Sequence, residues 1–444
     1  MTGHQYWNPK NETLSRDELH QLQLAKLKRL VAYSTERSAF HRGKIDEAGV
    51  TADSLTSIDD LQKIPFTTRD EWMESQERSP MFGDLLARPR EDAIRYHLTS
   101  GTSGRNPLRV LDSRRDWQWI SECWAYGFWA AGVRPTDTVF FAFSYGSFIG
   151  FWGAHYCCER MGSLVIPSGN MTTDMRVRQI ADMKVSTVCA TPTYALRLAQ
   201  AASEQGIDLV TSAVDKVIVS GEPAGSIPET KALIERQWGA KCFDTAGMTE
   251  LGTICMFECS HQPGGMHIIE DHYIEEVIDP TTGNPADYGE RGERVVTSFG
   301  RGMIPVLRYK TRDLVVKVPH HRCSCGRTFD VYEGGIQGRV DDMLLIRGTN
   351  VYPRAIESIV RSFPTIDEFQ ILVETINNVD ELTVRVEMKP ETGVTFSDIE
   401  RELVEDLKEH HEMLRMNVAQ AETGSLPRFE LKAKRVVDQR STKA

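Results

Sequence analysis

Several things are missing from this sequence. The first ten residues, Met1 to Lys10, contain no apolar run, so no secretion leader is expected. Internal repeats and low-complexity linkers are absent too, so domain boundaries must be read from pattern alone. An excess of positive charge is also lacking. The 52 Lys and Arg stand against 63 Asp and Glu, a formal net charge of −11. General binders of nucleic acid or of anionic membranes are more often basic, so neither partner is expected. A local basic groove for a nucleotide is not excluded.

No stretch reads as a membrane span. The candidate is Val139 to Cys158, which carries no Asp, Glu, Lys or Arg. Gly146, Gly150 and Gly153, with two serines and a histidine, make it a poor spanning helix. It reads instead as a buried strand (Val139–Phe143), a glycine-containing turn and a helix start. The nine cysteines are an odd count in a long chain without a leader, which argues for reduced thiols and a cytoplasmic location. Most should be small core residues.

What is present is a soluble globular composition, 40% hydrophobic and 26% charged. A chain of 444 residues exceeds the usual size of one core, so at least two domains are expected. Residues 11–47 read as helical. Short apolar runs at Thr138–Phe143, Ser163–Ile166, Lys216–Val219 and Glu293–Thr297 read as strands. They alternate with helical patterns at Met175–Lys184 and Pro192–Glu204, which points to wound α/β layers. The pattern changes near Gly338–Asp342. A strand at Met343–Ile346, a helix from Pro353 to Phe363, strands at Glu368–Val373 and Leu382–Met388, and a charged helix at Ser397–His410 follow. The expected fold is α/β: a large N-terminal domain of layered sheets and helices over 1–340, and a small mobile α+β lid over 341–444.

Five short blocks carry chemistry. In Thr99-Ser100-Gly101-Thr102-Ser103-Gly104-Arg105, the glycines let the backbone approach an anion and the hydroxyls supply donors. Arg105 adds a cation suited to phosphate. The spacing is not that of a Walker A loop. Read alone, such a segment is commonly a plain turn. In Asp244-Thr245-Ala246-Gly247-Met248-Thr249-Glu250, the Thr249 hydroxyl suits phosphate and the Glu250 carboxylate suits Mg²⁺. An ordinary helix N-terminus with an acidic first turn is the bland alternative. In Arg308-Tyr309-Lys310-Thr311-Arg312-Asp313, an Asp closing a strand can accept from both hydroxyls of a ribose; a surface salt-bridge strand fits equally. The fourth block runs from Gly338-Arg339-Val340-Asp341-Asp342-Met343 to Arg347-Gly348-Thr349-Asn350-Val351-Tyr352-Pro353. The fifth is Pro427-Arg428-Phe429-Glu430-Leu431-Lys432-Ala433, which alone would be a solvated tail.

In this order the five blocks resemble the adenylate-forming superfamily of acyl-CoA synthetases, adenylation domains and luciferases. The phenylacetate–CoA ligase-like branch is the most similar, over roughly residues 60 to 440. The resemblance implies roles. Thr99, Ser100, Gly101, Thr102, Ser103 and Gly104 would hold the phosphates of ATP. Gly221, Glu222 and Pro223, with Asp244, Thr245 and Ala246, would line the adenine. Thr249 would touch phosphate, Glu250 would bind Mg²⁺, Asp313 would bind the ribose and Arg339 would touch the nucleotide. Asp341 would be the hinge and Lys432 the lid lysine that stabilises the adenylation transition state. This chain departs from the pattern in having Arg105 where Lys is frequent, Ala246 where Tyr is frequent, and Leu431 in place of a glycine.

The chemistry suits these residue types. A carboxylate attacks the α-phosphorus of ATP and expels pyrophosphate, a reaction that needs positioning and charge neutralisation more than covalent help. Tyr145 and Phe148 fall where the family lines its acid pocket, Gly247 is a further substrate-binding candidate, and two aromatic rings suit an aryl or arylacetic acid. Both aromatics fit a core role as well. The partners expected are a small carboxylic acid, ATP, and either coenzyme A or a carrier-protein thiol, with a homodimer left open. A non-catalytic binding protein on the same fold is the reading from a different class.

A separate signal is Cys323-Ser324-Cys325-Gly326, with Cys259-Ser260-His261 and His267 upstream. Three thiolates and one imidazole make a closed tetrahedral set for structural Zn²⁺. His261 and His267 compete for the fourth place. The likeness to phenylacetate–CoA ligase-like chains favours His267, giving Cys259, His267, Cys323 and Cys325.

Overall fold

The computed structural model describes residues 5–99, 106–261, 264–347, 349–376, 379–411, 413–429 and 433–440. The helical run expected at 11–47 is three helices, Pro9–Glu12, Arg16–Arg37 and Ala39–Glu47. Polar side chains set the breaks. Ser15 makes a capping box with Glu18. Ser38 ends the second helix and accepts from the His41 N–H to start the third.

The large domain is built on one mixed sheet. Five parallel strands run in the order Leu164–Pro167, Thr138–Phe141, Thr187–Ala190, Lys216–Ser220 and Lys241–Met248. Antiparallel strands extend it through Thr253–Phe257, Gly265–Ile268, Val331–Glu333, Val306–Val318, Arg291–Ser298 and Tyr273–Ile278. The inner parallel strands Thr187–Ala190 and Lys216–Ser220 are buried almost throughout, as expected of strands covered on both faces, whereas the edge strand Leu164–Pro167 is largely exposed. The charge-free run at 139–158 is the strand Thr138–Phe141, a turn and the helix Trp152–Met161. No helix among the described residues is long and apolar enough to cross a membrane. One core gathers Trp72, Trp117, Phe128, Phe141 and Phe151; a second gathers Ile180, Val188, Leu198 and Trp238 behind the parallel strands.

The smaller domain has its own core, including Ile356, Val360, Phe369, Val384, Leu403 and Leu407. Its long hairpin, Ile366–Ile376 with Val379–Met388, is flanked by two short parallel strands, Asn417–Gln420 and Val436–Asp438. Helices Pro353–Ser362 and Phe396–Glu409 accompany the sheet. Strand–helix–strand–strand–helix is the order read from the sequence; the strand Thr349–Val351, which pairs with Leu344–Ile346, and the two edge strands are additions to it.

Candidate active site at the domain junction

The loop expected to hold phosphates connects two strands, Ala93–Leu98 and Arg109–Ser113. Ser100, Gly101, Thr102, Ser103, Gly104 and Arg105 lie outside the described residues, but Thr99 is described. Thr99 is buried and closes the base of the loop, donating its N–H to the Leu108 carbonyl and accepting at Oγ1 from the Leu108 N–H. Arg69, the first residue of the helix Arg69–Arg78, reaches Thr99 Oγ1 at 3.5 Å and the Asn106 carbonyl at 3.4 Å. Its other arm meets Glu250 Oε1 at 3.1 Å. One guanidinium therefore ties the flanks of the loop to Glu250.

The block around Glu250 is not a helix start. Lys241–Met248 is a strand that turns into Thr253–Phe257. A register shift between Ala246 and Gly247 interrupts their pairing. A Cβ on Gly247 would lie 2.2 Å from the Thr253 carbonyl oxygen, so the chain can double back this closely only at glycine. The turn is clamped from behind. Buried Arg301 donates to the carbonyls of Thr249 and Glu250 at 2.7 and 3.0 Å and pairs with buried Asp112 at 2.8 and 3.0 Å. Tyr309 reaches the Glu250 carboxylate with its hydroxyl at 3.4 Å.

Tyr309 and Asp313 share the strand Val306–Val318. Between Lys310 and Leu314 this strand advances four residues while its partner advances two, from Val295 to Glu293. Arg308 and Arg312 have φ of 42° and 64°, the left-handed region that costs a side-chain-bearing residue energy. The bulge re-aims Asp313. Its carboxylate lies 3.3 Å from Arg339 Nη1 and 3.6 Å from Arg294 Nη1. Burial pushes the Asp313 carboxyl up, and the charges of Arg339 and Arg294 oppose that push. Arg339 also pairs with Asp341 at 3.0 Å, so the ribose, nucleotide and hinge candidates form one chain of contacts.

The adenine candidates divide. Asp244 is buried, accepts from the Ser226 hydroxyl, and has its carboxyl pushed up to about 7 by burial. It supports the turn Pro223–Ser226 from beneath: a Cβ on Gly225 would lie 2.7 Å from Asp244 Cγ. Thr245 is buried and donates to the Val219 carbonyl at 3.0 Å. Gly221 precedes the turn with φ of 94°. Glu222 is bound at both oxygens. Oε2 accepts from the N–H and hydroxyl of Thr193 at 3.1 and 2.8 Å, and Oε1 accepts from the Ala433 N–H at 2.5 Å. Lys432 lies outside the described residues; Ala433 follows it in the chain. The smaller domain touches the same loop again: Arg354 donates to the carbonyls of Ser226, Gly334 and Ile336, and Ser358 to Glu229.

Tyr145 and Phe148 are half-buried beside Phe143. The Tyr145 hydroxyl pairs with His155 Nδ1 at 2.7 Å, and its ring meets Trp152 edge-on. Tyr145 has φ of 50°, which marks this turn as a second strained segment at the site.

Across the sheet, Cys259, His267, Cys323 and Cys325 are all buried, with one ligand atom from each within 4.8 Å of the others. Cys259 Sγ lies 3.6 Å from Cys323 Sγ, and Cys325 Sγ lies 3.3 Å from His267 Nε2. The sulfur separation is far beyond a disulfide bond; it is close to the roughly 3.8 Å edge of a tetrahedron built on a Zn–S bond of about 2.3 Å. His267 Nδ1 lies 3.1 Å from the Phe329 carbonyl, so it can donate there and leave Nε2 facing the sulfurs. His261 is exposed beside Ser260 and stands outside the cluster. All nine cysteines are buried free thiols.

Arg69, Arg301, Thr193 and Arg354 were not singled out from the sequence. Arg301 had one legible sign, a lone cation between glycines before an apolar run; the others are recruited by folding.

Comparison with known proteins matches residues 7–303 to the AMP-binding enzyme family and residues 348–440 to the AMP-binding enzyme C-terminal domain. A phenylacetate–coenzyme A ligase of Thermus thermophilus is 36% identical over 405 residues, covering 90% of this chain and 87% of that protein. A 2-hydroxyisobutyryl-CoA ligase, solved in a postadenylation state with an acyl-AMP, is 30% identical, with a TM-score of 0.92 over 98% of this chain and 93% of that one. The same ligase with an acyl-AMP and CoA in its thioesterification state gives 31% identity and a TM-score of 0.75 over 99% of this chain and 94% of that one.

Proposed function

The chain belongs to the AMP-binding enzyme family, and from that premise we propose that its domain junction activates an aromatic carboxylic acid. It is an AMP-forming acid–CoA ligase. In the first half-reaction a carboxylate oxygen attacks the α-phosphorus of ATP, and the bond to pyrophosphate breaks. In the second, the CoA sulfur attacks the acyl carbon, AMP departs with the electrons of the C–O bond, and the thiol proton passes to solvent.

The observation that best supports this site is the connected set Thr99, Arg69, Glu250, Tyr309, Asp313 and Arg339, with the smaller domain resting against Glu222 beside it. We assign the phosphates to the loop Thr99–Gly104 and to Thr249. Glu250 offers a carboxylate for Mg²⁺, which favours one or two carboxylates plus substrate phosphates; when bound, the ion would neutralise phosphate charge. Asp313 would accept from the ribose hydroxyls, with Arg339 against the nucleotide. Gly221 and Pro223 and the strand Asp244–Ala246 would bound the adenine, while the Glu222 carboxylate is taken up by Thr193 and the Ala433 N–H. Lys432 would bring a compact cation to the α-phosphate and acyl oxygen, and Asp341 would be the hinge. Tyr145, Phe148 and Gly247 would border the acid, with aromatic faces that suit a flat ring.

Cys259, His267, Cys323 and Cys325 fit a closed structural Zn²⁺ site. The cluster has three soft donors and one imidazole oriented by a carbonyl, the donor chemistry zinc prefers. It would staple the strand Gly265–Ile268 to the loop after Val318.

A pyrophosphate-release screen over aromatic and aliphatic acids, with and without CoA, tests the assignment. Release with aryl or arylacetic acids and CoA-dependent thioester formation is the expected result. Release with short aliphatic acids alone would overturn the aromatic assignment, and AMP formation without any acyl-CoA would point to a carrier-protein thiol instead.

A further inference from the structure

Glu222 stands in a loop expected to line the adenine, yet both its oxygens are bound to protein. Oε2 takes the N–H and hydroxyl of Thr193, which is the second residue of the helix Pro192–Glu204. A carboxylate is well placed there, because the first N–H groups of a helix have no partner within it. Oε1 takes the main-chain N–H of Ala433. Arg435 continues the contact. It is fixed by Glu368 and Glu357 of its own domain and reaches Thr193 Oγ1 at 3.5 Å.

Two side chains of the large domain thus grip the segment that begins one residue after Lys432. The grip is seen in the one arrangement of the domains described here. The same relative superposes at 0.92 in its postadenylation state and 0.75 in its thioesterification state, although identity and coverage are almost unchanged. The chain therefore matches that relative better in its postadenylation state than in its thioesterification state.

Resting on the adenylation reading above, we propose that Glu222, seconded by Thr193, is a positioning residue. It docks the Lys432-bearing segment for adenylation and must release Ala433 before the thiol step. The contact suits release. The Ala433 end is a main-chain N–H that water can satisfy, whereas the Thr193 end stays within one domain and keeps the carboxylate oriented.

The test separates the half-reactions. Acid-dependent ATP–pyrophosphate exchange reads adenylation, and CoA-dependent breakdown of preformed acyl-adenylate reads the thiol step. Equilibrium binding of ATP is measured alongside. Glu222→Gln keeps the shape but cannot accept at both ends, because one head becomes a donor. Its exchange rate should fall about 10–100-fold, the loss of a charge-assisted hydrogen bond. The thiol step and ATP affinity should stay within about threefold of wild type, well under one charged hydrogen bond. Thr193→Val, a milder change, should give the same split at about 2–10-fold. Weakened ATP binding with exchange restored at saturating ATP would overturn the proposal in favour of adenine contact. Equal loss of both half-reactions, or no loss, would also overturn it. If the wild-type protein shows no exchange with any acid, the adenylation reading fails instead.

Discussion

Two regions hold their charges in opposite ways. Behind the Thr249–Glu250 turn, Arg301 and Asp112 pair side chain to side chain with both groups fully buried. Arg294 and Glu275 pair likewise at 2.5 Å. At the seam between the domains two charged side chains meet main chain, Glu222 at the Ala433 N–H and Arg354 at three carbonyls, and the side-chain contacts there, Ser358 to Glu229 and Arg435 to Thr193, each have a neutral hydroxyl on one side. A buried ion pair cannot open without stranding a charge, whereas a main-chain group that leaves a side chain can turn to water. The first arrangement suits parts that must stay still while a phosphate is transferred. The second suits a domain that must dock and leave.

The largest effect should come from breaking a lock. Asp112→Ala would leave Arg301 buried and unpaired, at a cost of about 3–5 kcal/mol. Urea denaturation should show it as a lower midpoint; an unchanged midpoint would mean that the pair is not a lock. Next comes the moving side. Lys432→Ala should leave the denaturation midpoint in place while adenylation falls about 10²–10³-fold, the loss expected on removing one preorganised donor from a developing charge. Normal adenylate formation by that variant would remove Lys432 from the mechanism. The smallest expected effect on catalysis concerns the Cys/His cluster, which belongs with the locks. Metal analysis should find zinc, and chelation should lower stability without altering which acid is used. Metal-free protein of unchanged stability would take the cluster out of that class.

What was legible in the sequence follows the same division. Glu250, Asp313 and Arg339 could be put forward from the sequence as candidates because each sits in a short block whose neighbours shape it: Gly247 permits the doubled-back turn, and the Arg308–Asp313 run forms the bulge. Cys323 and Cys325 announced themselves by spacing, and the resemblance already favoured His267 over His261; the structure groups His267 with the three cysteines and leaves His261 exposed. Arg69 and Thr193 could not be read. Each is one unremarkable residue near a helix start, and its partners lie 29 to 242 positions away. The edge strands Asn417–Gln420 and Val436–Asp438 were missed because short, half-exposed parallel pairs carry no apolar run. Glu222 was read as part of the nucleotide loop, but sequence order gives no sign that a domain 211 positions later closes on it.

We propose that this junction splits ATP between its α- and β-phosphates to join an aromatic acid to CoA. Quantifying nucleotides and thioester together in one reaction tests it most directly. AMP and acyl-CoA appearing in equal amounts with an arylacetic or aryl acid, and no ADP, is the predicted result. Formation of ADP, or ATP left intact with every acid in the presence of CoA, would contradict it.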